Sequence, residues 1–317
     1  MVREESEISR RAFLGGAVVS VAAAGCRSVG VDKVAALAPA EPHEGIRVKF
    51  LGTAAAVPGR RRNSSILVEG RVLVDLTRRS LDMLPEGVRP ETIFYTHSHG
   101  DHYSPRTALE AGVRRVYVHE SWADGARVDF AAAAKARGVE PPEVIGLAFG
   151  KAVEVEGLRF TAVPANHCTS RLTNGVLERT ALYLIEKGPA RLLYATDTGG
   201  LPGEAARLAG IDKHVWQDKS KLPPHIPPPQ PITALIMEAT MGVGLEDDFR
   251  IFVHSSVATV AQTVRVLTAT ERYLPPPGQP VYITHMGVGF DEDDDAVDRT
   301  LPEPLKAARD GLEVVLG

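Results

Sequence analysis

The chain has 317 residues, 44% of them hydrophobic and 24% charged, with a formal net charge of −4. That apolar share suffices for one large core or two small ones, while the slight negative charge and the lack of a basic patch exclude the broad positive field that holds nucleic-acid backbones. Only Cys26 and Cys168 are cysteine, which excludes a disulfide framework and a cysteine-rich zinc module, so any metal must be held by histidine and carboxylate.

Residues 1–26 read as an address. Ser9-Arg10-Arg11-Ala12-Phe13-Leu14 precedes a Gly- and Ala-rich apolar run from Gly15 to Gly25, too short for a permanent membrane helix. The pattern resembles a twin-arginine export signal, and Ala23-Ala24-Gly25-Cys26 resembles a lipoprotein cleavage box, with Cys26 as a possible lipid anchor and the only membrane contact expected. The expected location is the periplasm or envelope. Residues 27–42 are expected to be a tether and 43–317 the folded domain.

Short β-rich runs punctuated by turns follow: Ile46 to Leu51, Ser65 to Val68, Arg71 to Asp75, Thr92 to Thr96 and Arg115 to His119. The pattern resumes at Ala152 to Val155, Leu158 to Val163, Ala181 to Ile185, Arg191 to Thr196, Ile232 to Met237 and Val281 to Thr284. Helical periodicity predicts helices over Trp122 to Ala136, Leu201 to Leu208, Ser256 to Thr270 and Pro302 to Ala308. The expected class is α/β, two packed mixed sheets with helices outside. No internal repeat is visible. Lys219 to Pro231, rich in proline, is expected to be an extended loop, either a spacer or a lid. Asp291 to Asp295 reads as a solvated acidic loop and Cys168 as a small buried neighbour of His167.

The chemistry concentrates in Thr96-His97-Ser98-His99-Gly100-Asp101-His102, directly after the apolar run Ile93-Phe94-Tyr95. Three imidazoles and a carboxylate at a strand end are costly to bury unless they bind metal, and their donor atoms suit zinc or a similar divalent ion. In an extended segment His97 and His99 point the same way, while the turn at Gly100 redirects Asp101 and His102.

This His-x-His-x-Asp-His segment resembles the signature of the metallo-β-lactamase superfamily, over about Leu51 to the C-terminus. The resemblance implies an αββα sandwich and a metal-dependent hydrolase. It implies that His97, His99 and His167 hold one divalent ion, that Asp101, His102 and His285 hold a second, and that Asp197 bridges them. The ions would be zinc, or manganese or iron, with a bridging hydroxide as nucleophile. Asp75, ending an early strand, is expected to orient a ligand from behind.

Leu51-Gly52-Thr53 with Pro58, and Met237-Glu238-Ala239-Thr240 followed by His254-Ser255-Ser256, look like the ribonuclease Z and cyclic-phosphodiesterase branch. There a histidine at the position of His254 would protonate the leaving oxygen of a phosphodiester, with Glu238 orienting it. Asp101, His254 and Glu238 are therefore the candidate catalytic residues. Asp197-Thr198-Gly199-Gly200-Leu201-Pro202 and Asp310-Gly311-Leu312-Glu313 are similar to the cyclic-phosphate phosphodiesterases. The chain departs from them in lacking cysteines over Ala54 to Asn63, in Met286-Gly287-Val288 after the last ligand, and in the proline-rich insertion. The short interval between His167 and Asp197 leaves no room for a tRNA-gripping arm. The expected partner is thus a small phosphodiester or cyclic phosphate and not nucleic acid; a lactone or β-lactam hydrolase, a ribonuclease Z-like nuclease and a silent metal-binding protein are the rivals. Arg171 and Asn174 are further candidates for contact with a substrate phosphate.

Overall fold

A computed structural model of the chain describes residues 45–56, 59–212, 230–290 and 293–317. All belong to the unit Pro42–Gly317. The export-signal segment, the tether, Pro58, the proline-rich segment as far as Pro229, and Asp291 with Glu292 lie outside them.

One sheet contains β1 (Ile46–Gly52), β2 (Ser65–Val68), β3 (Val72–Val74), β4 (Thr92–Phe94), β5 (Arg115–His119), β6 (Glu143–Leu147) and β14 (Glu313–Leu316), in the order β14-β1-β2-β3-β4-β5-β6. The other contains β7 (Ala152–Val155), β8 (Leu158–Thr173), β9 (Val176–Lys187), β10 (Ala190–Ala195), β11 (Ala234–Glu238), β12 (Val281–Thr284) and β13 (Leu305–Ala307), in the order β13-β12-β11-β10-β9-β8-β7. The sheets repeat one scheme. Counted from β14 in the first and β7 in the second, the three initial pairings are antiparallel and the three that follow are parallel. The helices are α1 (Arg78–Leu81), α2 (Pro105–Ala111), α3 (Ala123–Arg137), α4 (Gly203–Leu208), α5 (Val257–Ala269) and α6 (Asp294–Thr300).

Side chains alternate across a strand, and here both faces of the central strands are covered. Val72 and Val74 of β3, with Phe94, face Phe160, Tyr183, Leu192 and Tyr194 between the sheets. Phe94 is stacked between Tyr117 and Phe160, at ring-centroid distances of 4.5 and 4.1 Å. Leu73 and Ile93, on the opposite face, pack with Trp122, Ala126 and Phe130 of the α3 region. In the second sheet Leu193 and Leu235 pack with Val257, Val260 and Val264 of α5. The four layers are helix, sheet, sheet, helix. Double coverage explains why β3, β4, β10 and β11 are continuous buried apolar runs and not alternating ones.

Several expectations are corrected. Pro302 to Ala308 is not helical: Leu305–Ala307 pairs in parallel with β12, and tertiary pairing outweighs a weak helical period. Asp294 and Asp295 open α6 where a solvated loop was expected, since acidic groups in a first turn complement the helix dipole; Asp293 caps it by accepting from Ala296 N, and Asp294 pairs with Arg60 and Arg61 at 2.8 and 2.7 Å. β8 and β9 run much further than expected, as a hairpin of 16 and 12 residues. β6, β14, α1 and α2 carried no pattern strong enough to be read.

The segments Leu51-Gly52-Thr53 and Asp310-Gly311-Leu312 meet each other. Thr53 Oγ1 donates to Asp310 Oδ1 at 2.9 Å, Gly311 N to Phe50 O, and Phe50 N to Leu312 O. Gly52 is required by close approach, because a Cβ there would lie 2.0 Å from the Asn63 carbonyl oxygen.

Candidate metal centre

The histidines and acids gather where the parallel strands of both sheets end. Asp75 follows β3 and His97 to His102 follow β4; Asp197 follows β10, Glu238 ends β11 and His285 follows β12. His167 arrives from within β8, between its register irregularity at Pro164 and its pairing at Cys168, not after a strand as expected. Asp75, Asp197 and His285 all take a positive φ, 56°, 53° and 51°. A left-handed turn costs a non-glycine residue about 1–2 kcal/mol, and here it swings each side chain off its strand end toward the cluster.

Donor atoms within 4.8 Å of one another form the triads His97–His99–His167, His97–His102–Asp197 and Asp101–His102–His285. Two more, His167–Asp197–His254 and Glu238–His254–His285, extend the cluster to one side. All seven expected ligands come together. Asp197 is central: Oδ2 lies 2.9 Å from His102 Nε2, and Oδ1 lies 3.4 Å from His285 Nε2 and 3.9 Å from His167 Nε2. Asp101 Oδ2 lies 3.3 Å from His285 Nε2 and 3.5 Å from His102 Nε2.

Five of the histidines have a partner at the outer ring nitrogen. His102 Nδ1 lies 2.8 Å from Asp75 Oδ2, and His97 Nδ1 lies 3.0 Å from Thr96 Oγ1, which donates to the same Asp75 oxygen at 2.8 Å. Asp75 Oδ1 also accepts from Thr96 N at 2.8 Å. In the other sheet His254 Nδ1 lies 3.0 Å from Glu238 Oε1, and His285 Nδ1 lies 2.9 Å from Thr240 Oγ1, which donates to Glu238 Oε2 at 2.5 Å. Glu238 further accepts from the backbone N–H of Thr198 and Thr240. His167 Nδ1 donates to Val253 O at 3.1 Å. Asp75 and Glu238 thus each hold one imidazole directly and another through a threonine hydroxyl. A histidine bound at Nδ1 in this way presents Nε2 inward, the nitrogen a metal ion would take.

The residues fit divalent ions. Nε2 of both His97 and His102 is buried with no hydrogen-bond partner, the contact of His102 with Asp197 being off the direction a hydrogen bond requires. Orphaned buried nitrogens are rare, and an imidazole and carboxylate set without sulfur suits zinc or another first-row ion. Burial holds His97, His99 and His167 below the usual imidazole range, so they are neutral. His102 and His285 go the other way. Burial opposes their charge, but Asp197 and Asp101 outweigh it, raising His102 well above its ordinary value and His285 to about 10. Asp197 is held far below the carboxylate range, its burial outweighed by His285, His102 and His97.

Sequence reasoning missed Thr96 and Thr240 as relays, and also Glu178, which is buried and accepts from Ser98 N and Oγ at 2.6 and 2.5 Å. A lone threonine or glutamate in a strand carries no local mark of such a role. Two expected contacts fall elsewhere. Arg171 Nη2 is bound to Asp129 at 2.7 Å and Asn174 Nδ2 to Asp124 at 2.9 Å, both on α3, so neither is presented to the cluster. Cys168 is exposed, not buried, because alternation along β8 turns it away from the side that carries His167. In the segment His254-Ser255-Ser256, Ser255 Oγ donates to Thr198 O at 2.7 Å and accepts from Gly200 N, while Ser256 caps α5.

Comparison with known proteins agrees with this architecture. A UPF0173 metal-dependent hydrolase of Methanopyrus kandleri is 29% identical over 120 residues, covering 36% of this chain and 47% of the relative, so the match spans about half of that protein. A crystal structure of a diphosphatase of the PhnP family superposes with a TM-score of 0.54 at 20% identity, covering 85% of this chain and 96% of that one. The short form of human tRNase Z superposes with a TM-score of 0.58 at 15% identity, covering 86% and 99%; at such identities these two attest the fold alone. Residues 71–286 match the family model described as the Beta-lactamase superfamily domain, and the chain therefore belongs to the metallo-β-lactamase superfamily of metal-dependent hydrolases.

Proposed function

We propose that the chain is a binuclear metal-dependent phosphodiesterase acting on small or cyclic phosphodiesters. The observation that carries this reading is the His254–Glu238 pair. His254 lies outside the two triads that would hold the ions, 3.7 Å from Asp197 and hydrogen-bonded to a carboxylate that already receives two backbone N–H groups. When bound, two divalent ions, zinc or alternatively manganese or iron, would supply an activated water and neutralise charge developing on the oxygens of the attacked phosphoryl group.

His97, His99 and His167 would hold one ion and Asp101, His102 and His285 the other, with Asp197 placed between the two sets. Asp75 orients His102 directly and His97 through Thr96. Asp101, 13% exposed against 2% for Asp197, is the carboxylate open to the reacting water. Burial raises the Glu238 carboxyl, but the hydrogen bond from His254 and the nearby His285 imidazole outweigh it and hold Glu238 below its ordinary value. With Nδ1 turned to this anion, His254 presents Nε2 as the atom that would pass a proton to the leaving oxygen in an in-line displacement.

A small substrate is favoured over tRNA because the β8–β9 hairpin is fastened to α3 through Arg171 and Asn174 and the net charge is −4. Export by the twin-arginine route completes the reading, with fractionation of cells carrying the Arg10→Lys, Arg11→Lys variant as its test. For the reaction, metal-loaded protein is assayed on a phosphodiester with an alkyl leaving group, a phosphomonoester, a lactone and a β-lactam, beside His254→Ala. Diesterase activity that collapses in the variant is expected. Turnover of a lactone or β-lactam with the diester untouched would overturn the phosphodiesterase reading.

A further inference from the structure

We propose that Glu178 is a positioning residue that sets the placement of His97 and His99, so that the β8–β9 hairpin, which also carries His167, builds one half of the metal centre as a unit. The inference rests on the two-ion reading above.

Beyond Phe94 the chain has left β4, and its backbone groups need partners outside the sheet ladder. Thr96 O receives Ala181 N from β9 at 2.9 Å, and Ser98 N donates to Glu178 Oε1 at 2.6 Å. Alternation through this extended stretch puts His97 and His99 on one side, where they meet His167, and Ser98 on the other. There its hydroxyl donates to Glu178 Oε2 at 2.5 Å. One carboxylate therefore fixes both the backbone and the side chain of the single residue between two ligands.

Glu178 is 3% exposed and makes no ion pair among the described residues. A buried carboxylate is costly without compensation, and the compensation here comes first from the two Ser98 hydrogen bonds and then from the nearby Arg171 charge. The hairpin is in turn anchored from the other side, by Arg171 to Asp129, by Asn174 to Asp124 and by Arg179 N to Ser121 Oγ at 2.9 Å. The half-site of Asp101, His102 and His285 is held by Asp75 and Thr240, neither of which is bonded to Glu178, although Asp75 also reaches His97 through Thr96. Loss of Glu178 therefore acts on one ion and spares the other.

Competition of the full-length protein with a chromophoric chelator for Zn2+ reads both affinities without reference to turnover. Wild-type protein is expected to take up two equivalents, and Glu178→Ala to bind one of them about 10–100-fold more weakly with the other unchanged. Ser98→Ala, which keeps the backbone bond, should lose less. Glu178→Gln retains an acceptor for Ser98 N and should recover most of the affinity, whereas Glu178→Asp, one methylene short, should not. These milder variants carry the test if Glu178→Ala does not fold. Unaltered affinity in Glu178→Ala, or recovery by Asp and not by Gln, would overturn the positioning role, the latter pattern meaning that the charge alone matters. Wild-type protein that takes up no divalent ion would overturn the metal-centre reading together with this one.

Discussion

Asp75 and Asp197 stand on either side of one imidazole, 2.8 Å from Nδ1 and 2.9 Å from Nε2 of His102. They occupy matching places in the two sheets, each directly after the strand where antiparallel pairing gives way to parallel, and each at a positive φ. Their surroundings give them different work. Asp75 is filled by Thr96 and His102, while Asp197 faces the cluster with both oxygens.

Removing Asp75 should therefore act on the metal centre from behind. Asp75→Ala leaves His102 Nδ1 and the Thr96 N–H and hydroxyl without their acceptor, and each orphaned group costs about 1–3 kcal/mol. The expected result is a metal-free protein with a lower urea midpoint and a loss of about 10–100-fold in metal affinity. A variant that matched wild type in both would mean that Asp75 only fills space.

Proton release on metal loading follows from His102 and His285. Both are protonated in the metal-free protein at neutral pH, His285 with a pKa of about 10, and a ligand imidazole must be neutral. Affinity should therefore rise with pH up to about 10. Stability of the metal-free protein runs oppositely, because a raised pKa stabilises fully below the ordinary value of 6.5 and the contribution fades as pH climbs through about 10. Calorimetry in buffers of different ionisation enthalpy counts the protons; none released would contradict the charge assignment.

An acid role for His254 makes the effect of its loss depend on the leaving group. His254→Gln is expected to slow hydrolysis of diesters with alkyl leaving groups by about 10²–10⁴-fold while barely affecting those with nitrophenolate, which leaves without a proton. Metal content should stay unchanged. Equal losses across the series would assign His254 to binding or to metal ligation.

Gly52→Ala tests the meeting of the two terminal segments. The new Cβ would lie 2.0 Å from Asn63 O and 2.8 Å from Arg62 O, both backbone atoms with little freedom to retreat. A destabilisation of about 1–3 kcal/mol or more is expected, read from the thermal or urea transition of the metal-free protein. A neutral substitution would show that this turn yields easily.

The strand-end histidines and aspartates were legible because metal chemistry demands particular residue types at short spacing, as in His97 to His102, and because the apolar runs before them are long enough to announce buried strands. Sequence alone thus determined the α/β class and the histidines and aspartates that gather in one cluster. What it could not contain is partnership across distance. Thr96 and Thr240 are ordinary β-formers until folding sets them between a carboxylate and an imidazole, and Glu178 is an ordinary charge until β9 sets it behind Ser98, 80 residues away in the chain. The same holds for the shared plan of the two sheets, invisible as a repeat because hydrogen-bonded pairing is a property of backbone and tolerates almost any apolar side chain. Leu305 to Ala307, read as helix, became a strand when the free edge of β12 offered its hydrogen bonds, a gain that exists only once the rest of the sheet is in place.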